Sequence, residues 1–158
     1  MVQPPEHVDV GDGQEVAYAS WGRRAAAFLL DVVVVIAAIV GLYVIAWILG
    51  GYDAETDTLA DEWVAVYVPL IFLGPGVYFW LMTGRYGATL GKLALGIRVR
   101  RSEDVGRVGY VRALGREASW LLLAVLTLPL LASILWPLWD ARNQTLVDKM
   151  ASTVVLRA

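Results

Sequence analysis

The sequence predicts an all-α integral membrane protein with two transmembrane helices, a third hydrophobic segment that re-enters or spans, and a small cytoplasmic β-hairpin. Three observations carry this. Hydrophobic residues make up 58% of the 158 positions and charged residues only 18%, against averages of about 45–50% and about 25%. Two long runs are free or nearly free of charge. Eight of the thirteen Lys and Arg residues crowd into positions 85–116, as in a basic loop retained in the cytoplasm. This balance excludes a disordered tail, a basic nucleic-acid binder and an ordinary soluble enzyme. The length suits one domain.

Residues 1–20 read as a loose cytoplasmic N-terminal tail. They carry acidic Glu6, Asp9, Asp12 and Glu15 and no Lys or Arg. A secretory signal needs a basic start and an early apolar core, so the first hydrophobic segment is expected to stay in the chain. Positions 21–158 form the membrane domain.

The first helix is placed at 21–49. Ala25 to Leu49 holds one charge, Asp31, in 25 residues; as a helix this is about 37 Å, more than the ~30 Å hydrocarbon core requires. Residues 50–62 are acidic and contain no basic residue. The second helix, 63–82, is flanked by Trp63 and Trp80 in the positions of an interfacial belt. Pro69 and Gly74-Pro75-Gly76 are expected to bend it. The basic loop 83–117 follows, so the N-terminus is placed inside, the acidic loop outside and the basic loop inside.

Within that loop Ile97-Arg98-Val99-Arg100 alternates like a half-buried strand, and Arg107 to Val111 is expected to return as its hairpin partner. Thr153 to Leu156 is a further β-prone stretch. The third hydrophobic segment, 118–138, has Pro129 near its middle. A single span would leave Arg142, Lys149 and Arg157 outside, against the charge rule. A fold back around Pro129 returns the C-terminus to the cytoplasm, and we favour that reading.

The residues bearing these features resemble the RDD family of bacterial membrane proteins. One block is Ser20-Trp21-Gly22-Arg23-Arg24 with Asp31. A second is Gly87-Ala88-Thr89-Leu90-Gly91-Lys92 followed by Gly96-Ile97-Arg98-Val99. The third is Trp136-Pro137-Leu138-Trp139-Asp140 leading to Gln144-Thr145-Leu146-Val147-Asp148-Lys149 and Thr153-Val154-Val155. The resemblance runs from about Ser20 to the C-terminus. It implies that the family's arginine is Arg24 or Arg23, its first aspartate Asp31, and its second Asp148, with Asp140 as competitor. Many relatives carry His before the last aspartate; this chain has Val147, so a histidine-dependent proton role does not carry over. The resemblance implies a bacterial inner-membrane protein of unresolved role, with some members linked to transport or cation–proton antiport.

Asp31 is the leading candidate, because an intramembrane acid is a functional-site hypothesis by default. It sits about 9–10 Å inside the cytoplasmic edge of its helix. The bland expectation is a lock, with Asp31 paired to Arg24, Arg116 or Arg142; the sharper one is an ion or proton pathway. Thr145 and Asp148 have the spacing of a helix capping box, and Asp148 is an alternative member of a polar cluster with the basic loop. Asp140 and Arg142 are explained by snorkelling or local pairing.

Cofactors are not expected, and neither is enzymatic activity. The chain has no cysteine and one histidine, His7, which excludes thiolate zinc sites and Ser–His triads. Gly87 to Lys92 fails the spacing of a Walker loop. The expected partners are the lipid bilayer, anionic headgroups at the basic loop, and another copy or another membrane protein, with no nucleic acid. Most of the basic loop's charge reads as topology determination and non-specific attraction to lipid; a dedicated docking site is the sharper alternative. The favoured function is a structural or accessory membrane component held by an Asp/Arg lock. The alternative is an ion or small-solute transporter using Asp31.

Overall fold

A computed structural model describes residues 7–9, 15–49, 52–53, 55–56 and 58–158. The expectations for Glu6 and Asp12, and for the parts of the acidic loop at 50–51, 54 and 57, lie outside the described residues. In chain order the elements are β1 (His7–Asp9), β2 (Glu15–Ala17), α1 (Trp21–Ile48), β3 (Tyr52–Asp53), β4 (Thr58–Leu59), α2 (Asp61–Tyr86) and α3 (Leu90–Ala94). Then follow β5 (Ile97–Arg101), α4 (Gly109–Val125), α5 (Thr127–Leu135), a 3-10 turn at Trp136–Leu138, α6 (Leu146–Met150) and β6 (Thr153–Arg157). The molecule is mostly helical, with small antiparallel strand pairs.

Two helices, Trp21–Ile48 and Trp63–Tyr86, are long and apolar enough to cross a membrane. They are also nearly unburied within the chain: Phe72 is 77% exposed and Ile48 67%. A water-soluble helix would hide such a face, so these flanks need an apolar surrounding. Helix α2 continues through Pro69 and Pro75. It ends at Gly87, whose φ of +69° is the left-handed closing geometry that glycine adopts without strain. A Cβ there would also meet the Val99 carbonyl oxygen at 2.8 Å.

The third hydrophobic segment departs from the expected 118–138. Helix α4 begins well before it, at Gly109, and presents Ala113, Arg116, Ser119 and Leu123 on one buried face. The chain breaks at Leu126, not Pro129. Pro129 falls in the first turn of α5, where its missing N–H would have had no helical partner. Two helices meeting at Leu126 thus stand where the favoured reading placed its break at Pro129.

The expected hairpin is also corrected. Arg107 to Val111 does not pair with β5, because Gly109 to Val111 already belong to α4. Packing decides this. Trp80 donates its indole N–H to the Tyr110 carbonyl at 2.9 Å, and the two rings meet edge to face. Gly84 leaves room for Tyr110; a Cβ there would lie 2.5 Å from its ring. The partner of β5 is β6 instead, antiparallel, with Val99 opposite Val155.

The N-terminal tail is not loose from Glu15 onward. β1 and β2 pair antiparallel, Tyr18 bridges to Leu156, and the Ala19 N–H donates to the Val155 carbonyl at 2.9 Å. The principal core forms where these segments meet: Ala19, Ala27, Ile97, Val99, Val108, Ala113 and Val155 are all buried together. It lies at one end of α1 and α2. The polar site is built beside it.

Candidate functional site

Asp148 is fully buried on α6 and gathers charge from two distant helices. Arg24 of α1 donates Nη1–H to its Oδ2 at 2.6 Å. Arg116 of α4 donates Nη1–H to its Oδ1. Arg116 also reaches the Thr153 hydroxyl at 3.1 Å, and Arg24 donates Nε–H to the Ala19 carbonyl at 3.2 Å. Arg24, Arg116 and Asp148 side chains are 11%, 8% and 0% exposed. Three buried charges thus tie α1, α4, α6 and β6 together.

The local sequence explains why Asp148 points there. Thr145 caps α6 by accepting the Asp148 N–H at 3.0 Å, and Asp148 Oδ2 accepts the Thr145 N–H at 3.0 Å. This is a capping box with aspartate in the usual glutamate place. The two readings of Asp148, cap and polar cluster, hold together. Burial alone would raise its carboxyl pKa, but Arg116 and Arg24 outweigh it, and with the Thr145 N–H they hold the group well below the usual carboxylate range.

Asp31 is 1% exposed, but its partners are not arginines, as the sequence had suggested. Tyr78 donates its hydroxyl to Oδ1 at 2.9 Å, the Gly91 N–H donates to Oδ1 at 2.8 Å, and the Thr89 hydroxyl donates to Oδ2. The reason is the tight approach of α3 to α1, which seals Asp31 with neutral donors. The Tyr78 hydroxyl in turn accepts the Leu90 N–H at 3.0 Å. The expected partners lie elsewhere: Arg24 and Arg116 are committed to Asp148, and Arg142 is exposed.

The other candidates separate clearly. Arg23 is exposed. Asp140 belongs to a local network, pairing with Lys149 and accepting the Gln144 N–H at 2.9 Å and the Arg142 N–H at 3.1 Å. Burial acts to raise its carboxyl pKa, but these bonds prevail and lower it.

Sequence reasoning missed Tyr78, Thr89, Gly91 and Thr153. Thr89 and Gly91 stand inside the Gly87–Lys92 block and could have been read as an N-cap position and a close-packing glycine. Nothing in the sequence points Tyr78 at Asp31. Lys92, half-buried on α3, lies in the field of both carboxylates. Burial, helped by the Arg116 charge, lowers its ammonium pKa to about 8 against the opposing pull of Asp31, Asp148 and Glu117.

Each carboxylate is therefore saturated by protein donors. Asp148 carries two guanidinium partners and a backbone N–H; Asp31 carries two hydroxyls and a backbone N–H. This arrangement orders helices and a strand.

A curated relative, described as "Proline-rich antigen" of Mycobacterium leprae (strain TN), is 26% identical over 157 residues. The aligned region covers 89% of this chain, and the chain spans 61% of that protein's length. No solved structure matches the chain significantly. The sequence pattern of the RDD family matches residues 18–152. That match takes in Arg24, Asp31, Arg116 and Asp148. With the two exposed apolar helices, this chain is a membrane-type protein that belongs to the RDD family.

Proposed function

We propose that this chain is a multi-pass protein of the bacterial inner membrane that serves as a structural or accessory component, non-enzymatic, with its charged residues forming a clasp. The observation that carries this is Asp148, fully buried and gripped by Arg24 and Arg116 from two helices. Such a triad fixes which helix faces meet, whatever its net contribution to stability.

The strand pairing supports a definite topology. Tyr18 before α1, β5 after α3 and β6 at the C-terminal end are joined by backbone bonds, so they share one side of the bilayer. Helices α1 and α2 then cross out and back, while α4 and α5 turn back at Leu126 as a re-entrant pair. Arg85, Arg98, Arg100 and Arg107 belong to the same side, which the positive-inside rule makes cytoplasmic. The apolar flanks of α1 and α2 face lipid or another membrane protein.

The clasp reading is tested in reconstituted vesicles. Wild type is expected to carry no cation-dependent proton flux above that of empty liposomes. Asp31→Asn keeps a short polar group among Tyr78, Thr89 and Gly91 and is expected to cost about 1 kcal/mol, whereas Asp31→Leu strands three buried donors and costs about 3 kcal/mol or more. Flux in wild type that disappears in normally inserted Asp31→Asn would establish an ion pathway and overturn the clasp as the main role.

A further inference from the structure

A cavity of about 300 Å³ opens at the end of α2, lined by Arg85, Tyr86, Gly87, Leu93, Arg98, Arg100 and Arg107. Four arginines line it, the charges of Arg98 and Arg107 act on Arg100, and the lining holds no carboxylate. The adjacent arginines are different: Arg101 pairs with Asp104 and Arg112 with Glu103. None of the four lining arginines has an ion pair among the described residues. Arg85 lies over the Tyr86 ring at 5.8 Å. Burial lowers the Arg100 pKa, and the neighbouring charges of Arg98 and Arg107 lower it further. Like charges brought together without a counterion mark a site for an anion.

The depth of the cavity indicates which anion. Arg85 and Tyr86 form the last turn of α2, so the cavity starts where that helix leaves the apolar layer. Tyr86 and Leu93 are exposed large side chains on its wall, 57% and 39%, and give it an apolar edge beside the guanidinium groups. Forked guanidinium donors match phosphate oxygens better than an ammonium does. We propose that this pocket holds the phosphate of an anionic lipid headgroup, with Arg85, Arg98, Arg100 and Arg107 as its ligands. The proposal is narrower than the general attraction of a basic loop to a charged leaflet. It rests on α2 crossing the bilayer, and it is independent of the Asp148 clasp.

The test uses the full chain reconstituted in phosphatidylcholine vesicles containing a minor share of phosphatidylglycerol, then extracted in mild detergent, with co-purifying lipid quantified by mass spectrometry. Wild type is expected to retain phosphatidylglycerol enriched about tenfold over its share in the vesicle. Two independent pairs, Arg98→Gln with Arg100→Gln and Arg85→Gln with Arg107→Gln, are each expected to abolish the enrichment while melting like wild type. Removing the same charge at exposed Arg142 and Arg157, outside the pocket, is expected to preserve it. Equal losses from pocket and control pairs, or no enrichment in wild type, would overturn the proposal. A parallel arm titrates inorganic phosphate into protein held in phosphatidylcholine alone. Saturable, arginine-dependent phosphate binding without phosphatidylglycerol retention would assign the pocket to a soluble phosphate and overturn the lipid assignment. Failure of the protein to insert into vesicles would instead refute the membrane topology on which the proposal stands.

Discussion

Asp148→Ala is expected to destabilise the protein by about 3–5 kcal/mol, the range found when one partner of a buried ion pair is removed. The loss is large because two guanidinium groups, Arg24 and Arg116, are left in a site with almost no access to water. The cap of α6 goes with it, since Asp148 Oδ2 accepts the Thr145 N–H. Reversible unfolding in detergent, followed by tryptophan emission, measures the change. The pH dependence follows from the same contacts. The folded pKa of Asp148 is depressed below its ordinary 3.8, so its contribution is fully present above the unfolded value. It is lost progressively as pH falls below about 4 toward the folded value. Asp148→Asn is expected to remove that part of the acid limb and to be less stable than wild type at neutral pH.

Gly91→Ala is expected to cost about 3 kcal/mol or more, through overpacking and a lost buried hydrogen bond. The added Cβ would stand 2.2 Å from the Ala27 carbonyl oxygen and 3.0 Å from both the Asp31 nitrogen and its carboxyl carbon. Two of those three atoms are backbone, so no side-chain rotation relieves the clash; α3 must move away from α1. That movement breaks the Gly91 N–H bond to Asp31 and disturbs the Thr89 hydroxyl beside it. Gly41→Ala, on the same helix α1 as Asp31, meets nothing within 4 Å. It is expected to be neutral or to stabilise by up to about 1 kcal/mol, the helix preference of alanine over glycine. Comparing melting midpoints of the two variants separates close packing from a general intolerance of substituted glycines.

The parts of the fold governed by local rules were legible in the sequence. The run from Ala25 to Leu49 could only be a helix in lipid, and all of it but the capping residue Leu49 lies in α1. Alternation at Ile97 to Arg100 marked β5, and the Thr145–Asp148 spacing marked the cap of α6. Errors arose where tertiary packing overrides the local pattern. Arg107 to Val111 looks like a returning strand, but the fit of Tyr110 against Trp80 and Gly84 starts a helix there. Pro129 looks like a break, yet a proline in a first turn is at ease, and the chain turns at Leu126.

The same division holds at the site. Asp31 and Arg24 lie seven residues apart on one helix face, which invites pairing them. Their actual partners come from segments far away in sequence: Asp148 for Arg24, and Thr89, Gly91 and Tyr78 for Asp31. An acid seeks any sufficient set of donors. Hydroxyls and a backbone N–H satisfy it as fully as a charge, and no spacing rule announces them.

The most direct measurement is a double-mutant cycle between Arg24 and Asp148, using Arg24→Gln, Asp148→Asn and both together, read as unfolding free energy in detergent. A buried pair in contact is expected to give a coupling of about 2 kcal/mol or more, with the double variant far less damaged than the sum of the singles. Strict additivity, with each substitution acting as though the other residue were absent, would contradict the clasp.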